Sequence, residues 1–249
     1  MRIAYDNLLD DGTLTESSQN TAYPAENVQD QRLAKPWRTL VLTAVTCIVN
    51  LGSAKAIDTI AIIGHNLTTS ATITVNANAA DSWGSPSYTT SLTALDNMVL
   101  KYLTTAQTYQ YWRFNLDDST NTNAYLSIGR LWLGAKLDID PASTNSFRVS
   151  KRRSDTVTYG RGRQKFATPG SGWRSFSFNF RRTSGSMLTA IQTMYDTVGN
   201  HSSLIFSNFN ALRSYEIVEP CYCSIVGNID FAHQNRMRFD YALEIEEDK

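Results

Sequence analysis

Apolar and polar residues alternate over short stretches of this chain, and turn-forming residues separate one stretch from the next. Ala44 to Leu51, Thr59 to Ile63, Thr72 to Val75, Thr89 to Leu92, Tyr109 to Leu116 and Ala124 to Trp132 each read as a strand bounded by Gly, Asn, Asp or Ser. A period of two sends one face toward a core and the other toward solvent. Short strands joined by polar turns predict a sandwich or jelly roll rather than alternating strands and helices. No stretch before residue 140 has helical periodicity.

At 137–145 the sequence becomes LDIDPASTN, a polar connector containing proline, and a domain boundary is expected there. The expected domains are 1–138 and 146–249. Beyond the connector, Val149 to Tyr159, Trp173 to Arg181, Leu204 to Ser207, Ser214 to Val218, Cys221 to Val226 and Arg236 to Ile245 read as strands. One helix interrupts them at 186–198, where Met187, Leu188, Ile191, Met194 and Tyr195 fall on one stripe. Ser184 or Ser186 can cap its start, and Gly199 stands where a left-handed residue ends a helix. The expected fold is therefore all-β: a jelly-roll sandwich followed by a second β-sandwich that carries one helix.

Composition narrows the function classes. Only 18% of the 249 residues are charged, and 23 basic residues balance 23 acidic ones, so the whole chain has no bias toward nucleic acid or an anionic membrane. From Ser146 on there are 14 Lys or Arg against 10 Asp or Glu, so a mildly basic second half follows a mildly acidic first half. The start, MRIAYDNLLDD, lacks the apolar core of a targeting segment, and no apolar run reaches the roughly 18 residues that span a bilayer. Three cysteines, Cys47, Cys221 and Cys223, point to a reduced compartment rather than a disulfide scaffold. In a strand, C-x-C puts both thiols on one face, which favours core packing over metal binding.

The candidate chemistry is sparse. There is no H-E-x-x-H, G-x-S-x-G, Walker A or zinc-type cysteine pairing. Tyr159-Gly160-Arg161-Gly162-Arg163 lacks the third glycine and following helix of a phosphate cradle and reads as a hairpin tip. Gly170-Ser171-Gly172 reads as a turn leading into the Trp173 strand. Lys151, Arg152 and Arg153, with Arg161, Arg163 and Lys165, read as a solvated strand face or a subunit contact ahead of a nucleic-acid site. Asp6, Asp10, Asp11, Asp117 and Asp118 read as turn residues ahead of a calcium site or paired catalytic carboxylates. His65, His201 and His233 have no evident carboxylate or nucleophile partner. His65 lies in Gly64-His65-Asn66, where Gly64 and Asn66 suit a strand corner and the histidine is expected to hydrogen-bond that corner. No residue is assigned a catalytic, cofactor-binding or metal role, no cofactor is expected, and no enzymatic activity is expected.

A family resemblance rests on a series of segments in order. These are Asn7-Leu8-Leu9-Asp10-Asp11-Gly12-Thr13-Leu14-Thr15-Glu16-Ser17-Ser18, Tyr23-Pro24-Ala25-Glu26-Asn27-Val28, Trp37-Arg38-Thr39, Val49-Asn50-Leu51-Gly52, Ile57-Asp58-Thr59-Ile60, Gly64-His65-Asn66-Leu67 and Tyr111-Trp112-Arg113-Phe114. Over about residues 1–136 the chain resembles a discoidin-like (F5/8 type C, galactose-binding-like) jelly roll of the form carried by bacteriophage tail proteins. The second half, through SFSFNF, the 186–198 helix, LIFSNF and RMRFDYALEIEE, resembles the unit used by tail-tube and distal-tail proteins of long-tailed phages. The resemblance implies a structural virion protein of the distal tail or baseplate, a homo-oligomeric ring typically of six copies. It implies the tail tube protein, baseplate hub and receptor-binding or tail-fibre proteins as partners, and the virion, after assembly in the host cytoplasm, as the location. The other expectation is a carbohydrate-binding module that takes a host surface glycan, with Trp83 and Tyr88 stacking on sugar.

Overall fold

The computed structural model describes residues 1–95, 98–139, 144–210, 215–216, 219–235 and 238–248. Residues 2–137 form one compact unit, and 138–249 with Met1 form another. The first contains β1 (Arg2–Asn7), β2 (Thr13–Glu16), β3 (Trp37–Arg38), β4 (Val45–His65), β5 (Thr72–Asn78), β6 (Tyr88–Leu92), β7 (Met98–Asp117) and β8 (Ser127–Asp138). A 3-10 turn, Ala25–Gln29, lies among them.

The two longest strands make the sandwich. The first part of β4, 45–50, pairs antiparallel with 116–111 of β7, while β2 lines its other edge and β5 and β6 continue beyond β7. The ladder shifts register between Asn50 and Lys55 and again between Ile57 and Thr59. Past the shifts, 59–63 pairs with 102–98 of β7 on one side and with 134–130 of β8 on the other. Irregularities of this kind bend a strand and let it pass from one sheet to the other. Val45, Cys47, Val49, Val75, Trp112 and Phe114 from one sheet meet Ile60, Ile62, Val99, Leu131 and Leu133 from the other in one continuous core. Alternation of inward and outward positions sorts these residues from their polar neighbours.

The expected strands at Ala44–Leu51 and Thr59–Ile63 are thus a single strand. Residues 52–56 between them are exposed, so no apolar pattern marks that the strand runs on through them. β7 starts at Met98, ahead of the expected Tyr109, with Met98, Val99 and Leu103 buried before an exposed middle, and β8 runs to Asp138, beyond the expected Trp132. No clear alternation announces β1 or β2.

The second unit contains β9 (Thr144–Arg153), β10 (Thr156–Tyr159), β11 (Lys165–Thr168), β12 (Gly172–Thr183), α1 (Gly185–Val198), β13 (Ser203–Ser207), β14 (Phe209–Asn210), β15 (Tyr215–Glu216), β16 (Cys221–Ile225), β17 (Phe231–Asn235) and β18 (Arg238–Glu247). An antiparallel sheet runs β13-β16-β18-β12-β9, with β17 also on β18. The alternation in SFSFNF sends Phe176, Phe178 and Phe180 to one face. Phe206 sits 5.2 Å from both Phe176 and Phe178, Phe147 stacks 5.0 Å from Phe178, and Tyr241 stacks 4.4 Å from Phe180.

The helix begins one residue before its expected start. Ser184 Oγ accepts the Met187 N–H, Gly199 takes φ +52°, and its N–H closes on the Tyr195 carbonyl at 2.7 Å. Ile191, Met194 and Val198 are buried. Val149–Tyr159 divides into β9 and β10 because Asp155 turns the chain, accepting from the Gly170 N–H and the Arg153 guanidinium. Of the expected strand 214–218, only 215–216 is described. Residues 140–143 of the connector and 236–237 of the last expected strand also lie outside the described residues.

Candidate functional site

The corner at 64–67 is closed by its own polar groups. Gly64 takes φ +63°, a left-handed conformation that favours glycine. His65 ends β4, and its Nδ1 accepts the Leu67 N–H at 3.1 Å, the corner role expected of it. Asn66 does not adopt a left-handed turn conformation, against expectation. It acts as a clamp instead: Nδ2 donates to the Tyr125 carbonyl at 3.0 Å, Oδ1 accepts the Ser127 N–H at 2.7 Å, and Asn121 Nδ2 donates to its carbonyl at 2.8 Å.

The acidic candidates are engaged in the same way. Asp118 accepts the Thr68 N–H at 2.8 Å, the Thr68 hydroxyl at 2.7 Å and Asn121 Nδ2 at 3.1 Å. Desolvation, the largest single influence, raises its pKa, yet bonds from Thr68, Asn121 and Thr120 together outweigh it and hold the carboxyl below its ordinary 3.8. Asp10 accepts from Arg130 and from Asn7 Nδ2, each at 2.6 Å. Burial pushes the Asp10 carboxyl up to about 6 against the lowering pull of Arg130 and Asn7. Arg130, only 2% exposed, also donates to the Gln29 carbonyl at 2.8 Å. Asp117 receives the Ala44 N–H at 3.4 Å. The Asp6 carboxyl is raised, first by burial and then by Asp11. Internal bonding therefore occupies Asp10 and Asp118 as turn and core-edge residues.

Two of the aromatic–cation assemblies in the first unit are centred on Arg38 and Trp83. Tyr23, Arg38 and Tyr125 form a stack, with the guanidinium 4.0 Å and 4.8 Å from the two ring centres. Leu40 and Val41, two and three residues beyond Arg38, are 65% and 48% exposed. The partners of Arg38 lie far apart in sequence, so no local motif reveals the stack. The other assembly is Trp83, whose indole N–H donates to Asp81 at 2.6 Å and whose ring lies 4.6 Å from the Arg113 guanidinium. Arg113 donates in turn to Asn76 at 3.1 Å, and its pKa is lowered by burial. Tyr88 does not join Trp83 in a sugar platform. It pairs with Ala77 on the inward face of β6, and its ring meets the buried Trp112 edge-on at 6.3 Å.

The hairpin of β10 and β11 differs from all of these. Its ladder pairs Thr156 with Thr168 through Tyr159 with Lys165 and makes a sheet of two strands. Every residue in both strands is exposed, including Tyr159 at 68%, Phe166 at 54% and Val157 at 41%. The register places Val157 and Tyr159 on one face and Phe166 on the other. At the tip Gly162 and Arg163 take φ +82° and +61°, and Arg161, Arg163 and Lys165 add positive charge with no acidic residue between 156 and 168. The tip is a hairpin turn, as expected. Lys151, Arg152 and Arg153 are on β9, at the edge of the larger sheet, with Arg152 paired to Glu246 and Arg153 to Asp155, each at 3.0 Å. His201 is exposed just beyond α1, and the His233 side chain lies outside the described residues. The Cys47 thiol is buried in the first core, where desolvation pushes it up to about 12.

No family model matches the sequence, and no curated protein matches it. Among solved structures, the chain is similar to the galactose-bound family 32 carbohydrate-binding module of C. perfringens NanJ. That match has 15% identity, covers 55% of this chain and 100% of the module, and gives a TM-score of 0.43. The lectin domain of lectinolysin, bound to Lewis B antigen, matches at 13% identity over 51% of this chain and 95% of that domain, with a TM-score of 0.42. A Streptococcus pneumoniae fucose-binding module matches at 10% identity over 52% and 98%, with a TM-score of 0.43. These neighbours are carbohydrate-binding modules, and at such values the likeness assigns neither a family nor a ligand.

Proposed function

We propose that this chain is a non-catalytic assembly subunit of a long-tailed bacteriophage, placed at the distal tail or baseplate, where it forms a closed ring, typically of six copies. The observation that carries the assembly role is the β10–β11 hairpin. This two-stranded arm continues the β9–β12 pair outward past the Ser154–Ser171 and Asp155–Gly170 bonds, and it leaves Val157, Tyr159 and Phe166 uncovered on its two faces. A neighbouring subunit that covers both faces would remove that exposure. Edge strand β9, with its row of Lys151, Arg152 and Arg153, suits the same contact: basic residues guard an open edge until the correct partner meets it. Cyclic closure then leaves no sheet edge unpaired. The phage setting, with tail tube, hub and receptor-binding proteins as partners and the virion as location, comes from the sequence resemblance. Electron cryomicroscopy of the purified protein and of phage particles tests this reading. A ring that fits density at the tail tip supports it, and a chain that stays monomeric and is absent from particles ends it.

A second reading, glycan binding by the first unit, is favoured by Trp83. Asp81 fixes the indole edge and Arg113 the ring, which presents a preset aromatic surface with low ordering cost. Glycan-array binding that disappears in Trp83→Ala would support this reading. An array with no binding would remove it and leave assembly untouched.

A further inference from the structure

The two residues of β3 send their side chains opposite ways. Trp37 enters the core and is fully buried, while Arg38 turns outward and is half-buried. Segments far apart in sequence hold that position. The Arg38 N–H donates to the Tyr23 carbonyl at 3.0 Å, its carbonyl accepts the Asn20 N–H at 2.8 Å, and the ladder sets Arg38 opposite Ser127 of β8. The rings of Tyr23 and Tyr125 rest on the guanidinium, and the Tyr125 carbonyl is itself held by Asn66 Nδ2 at 3.0 Å. The cation is thus fixed before any ligand arrives, which lowers the ordering cost of binding.

What the fold leaves undone is the bonding of the guanidinium itself. Arg130 and Arg174 each meet a carboxylate, at 2.6 Å and 2.8 Å. Arg38 has the same five N–H donors, yet among the described residues none of them meets an acceptor and no carboxylate pairs with the cation. Its Nε is enclosed without a partner, while the two terminal nitrogens stay open to the surface. An incoming anion therefore meets the group end-on, where two parallel N–H bonds can reach both oxygens of a carboxylate. The Tyr23 and Tyr125 hydroxyls are also unbonded among the described residues, and each can donate and accept. Leu40 and Val41, 65% and 48% exposed, add apolar surface two and three residues along. An acidic sugar uses all three kinds of group at once: its carboxylate the cation, its hydroxyls the phenols, its C–H faces the apolar pair. The carboxylate of an acidic polypeptide uses the first alone.

We propose that Arg38, with Tyr23 and Tyr125, binds the carboxylate of an acidic saccharide, a sialic or uronic acid unit. The site rests on the glycan reading of the first unit but not on Trp83, which packs against Arg113 of β7 instead. Neutral sugars lack the group that the cation needs and bind weakly here. The site does not depend on the assembly reading.

The test is a glycan array carrying sialylated, uronic and neutral glycans, probed with the whole chain and followed by calorimetric titration of the glycans that bind. The expected result is binding of carboxylate-bearing glycans, and its loss when their carboxylates are methyl-esterified. Arg38→Gln is expected to weaken that binding roughly 10- to 100-fold, the worth of a charge-assisted hydrogen bond. Arg38→Lys recovers only part of it, because it keeps the charge without the fork, and Trp83→Ala leaves it unchanged. The proposal is overturned if the methyl esters bind as tightly as the acids, if polyglutamate competes as well as the acidic sugars, or if Arg38→Gln binds like its parent. Binding of neutral glycans alone, lost in Trp83→Ala, overturns the Arg38 site and leaves the glycan reading standing, whereas an array with no binding removes both. The comparison of acid with methyl ester on the unmodified chain decides even where an Arg38 variant fails to fold.

Discussion

The 64–67 corner and the 156–168 hairpin are both turn-rich, polar in sequence and on the outside of their units, but they differ in what satisfies them. At the corner, His65, Asn66, Asp118 and Asn121 bond to backbone groups or to one another. The hairpin closes its own ladder and then leaves three large apolar side chains uncovered. Internal satisfaction marks a structural element, because little binding capacity remains to offer a ligand. Uncovered apolar surface on the arm is what the proposed subunit contact would cover. A histidine between two β-branched runs draws the eye toward chemistry, yet the plainer hairpin is the better functional candidate.

Substitutions separate the two regions by what they disturb. The largest stability effect is expected at the buried ion pair beneath the first turn. Arg130→Ala strands the Asp10 carboxylate and the Gln29 carbonyl, at a cost of about 3 kcal/mol in urea unfolding, with the exposed side of Asp10 limiting it. Asn66→Ala leaves the Ser127 N–H and the Tyr125 carbonyl without their bonds and is expected to cost about 2 kcal/mol in the same assay. His65→Ala removes one neutral bond and should cost about 1 kcal/mol.

The corner also has a pH signature. Asp118 has a folded pKa below its ordinary 3.8, so the stability it contributes is present above that value and lost as the pH falls through and below it. Asp118→Asn should flatten the acid limb of the stability profile relative to the unmodified chain, as read by unfolding at stepped pH. An unchanged limb would detach Asp118 from the corner's stability. The hairpin is expected to give the smallest stability change. In the separated chain, Tyr159→Ser with Phe166→Ser should shift unfolding by less than about 0.5 kcal/mol, because both side chains face water there.

How much of this was legible in the sequence follows from what each feature depends on. FSFNF and RFDYALEIE give strands directly, because alternation is local, and the serine cap and Gly199 mark the helix ends. The continuity of β4 is not legible, since its middle is exposed and only Lys55 and Ala56 of residues 52–56 pair with β7. The hairpin tip could be read from Gly160 and Gly162, but the exposure of Tyr159 and Phe166 could not, because apolar residues in an alternating run look the same whether or not something covers them. Arg130 and Arg38 stayed hidden for another reason. Their partners, Asp10 with Gln29 and Tyr23 with Tyr125, are brought to them only by the folded chain. Tyr88 was misplaced as a surface aromatic because its neighbours in sequence are turn residues, while its register on β6 turns it inward.

The central claim is that the hairpin makes subunit contacts and the corner does not. Light scattering on the chromatographed protein, comparing the unmodified chain with the Tyr159→Ser, Phe166→Ser double variant, tests it most directly. The account predicts a closed oligomer for the unmodified chain and a folded monomer for the variant, with the two melting alike only where the unmodified chain is diluted to monomer. A chain that is monomeric at every concentration, or a double variant that assembles as well as its parent, would contradict it.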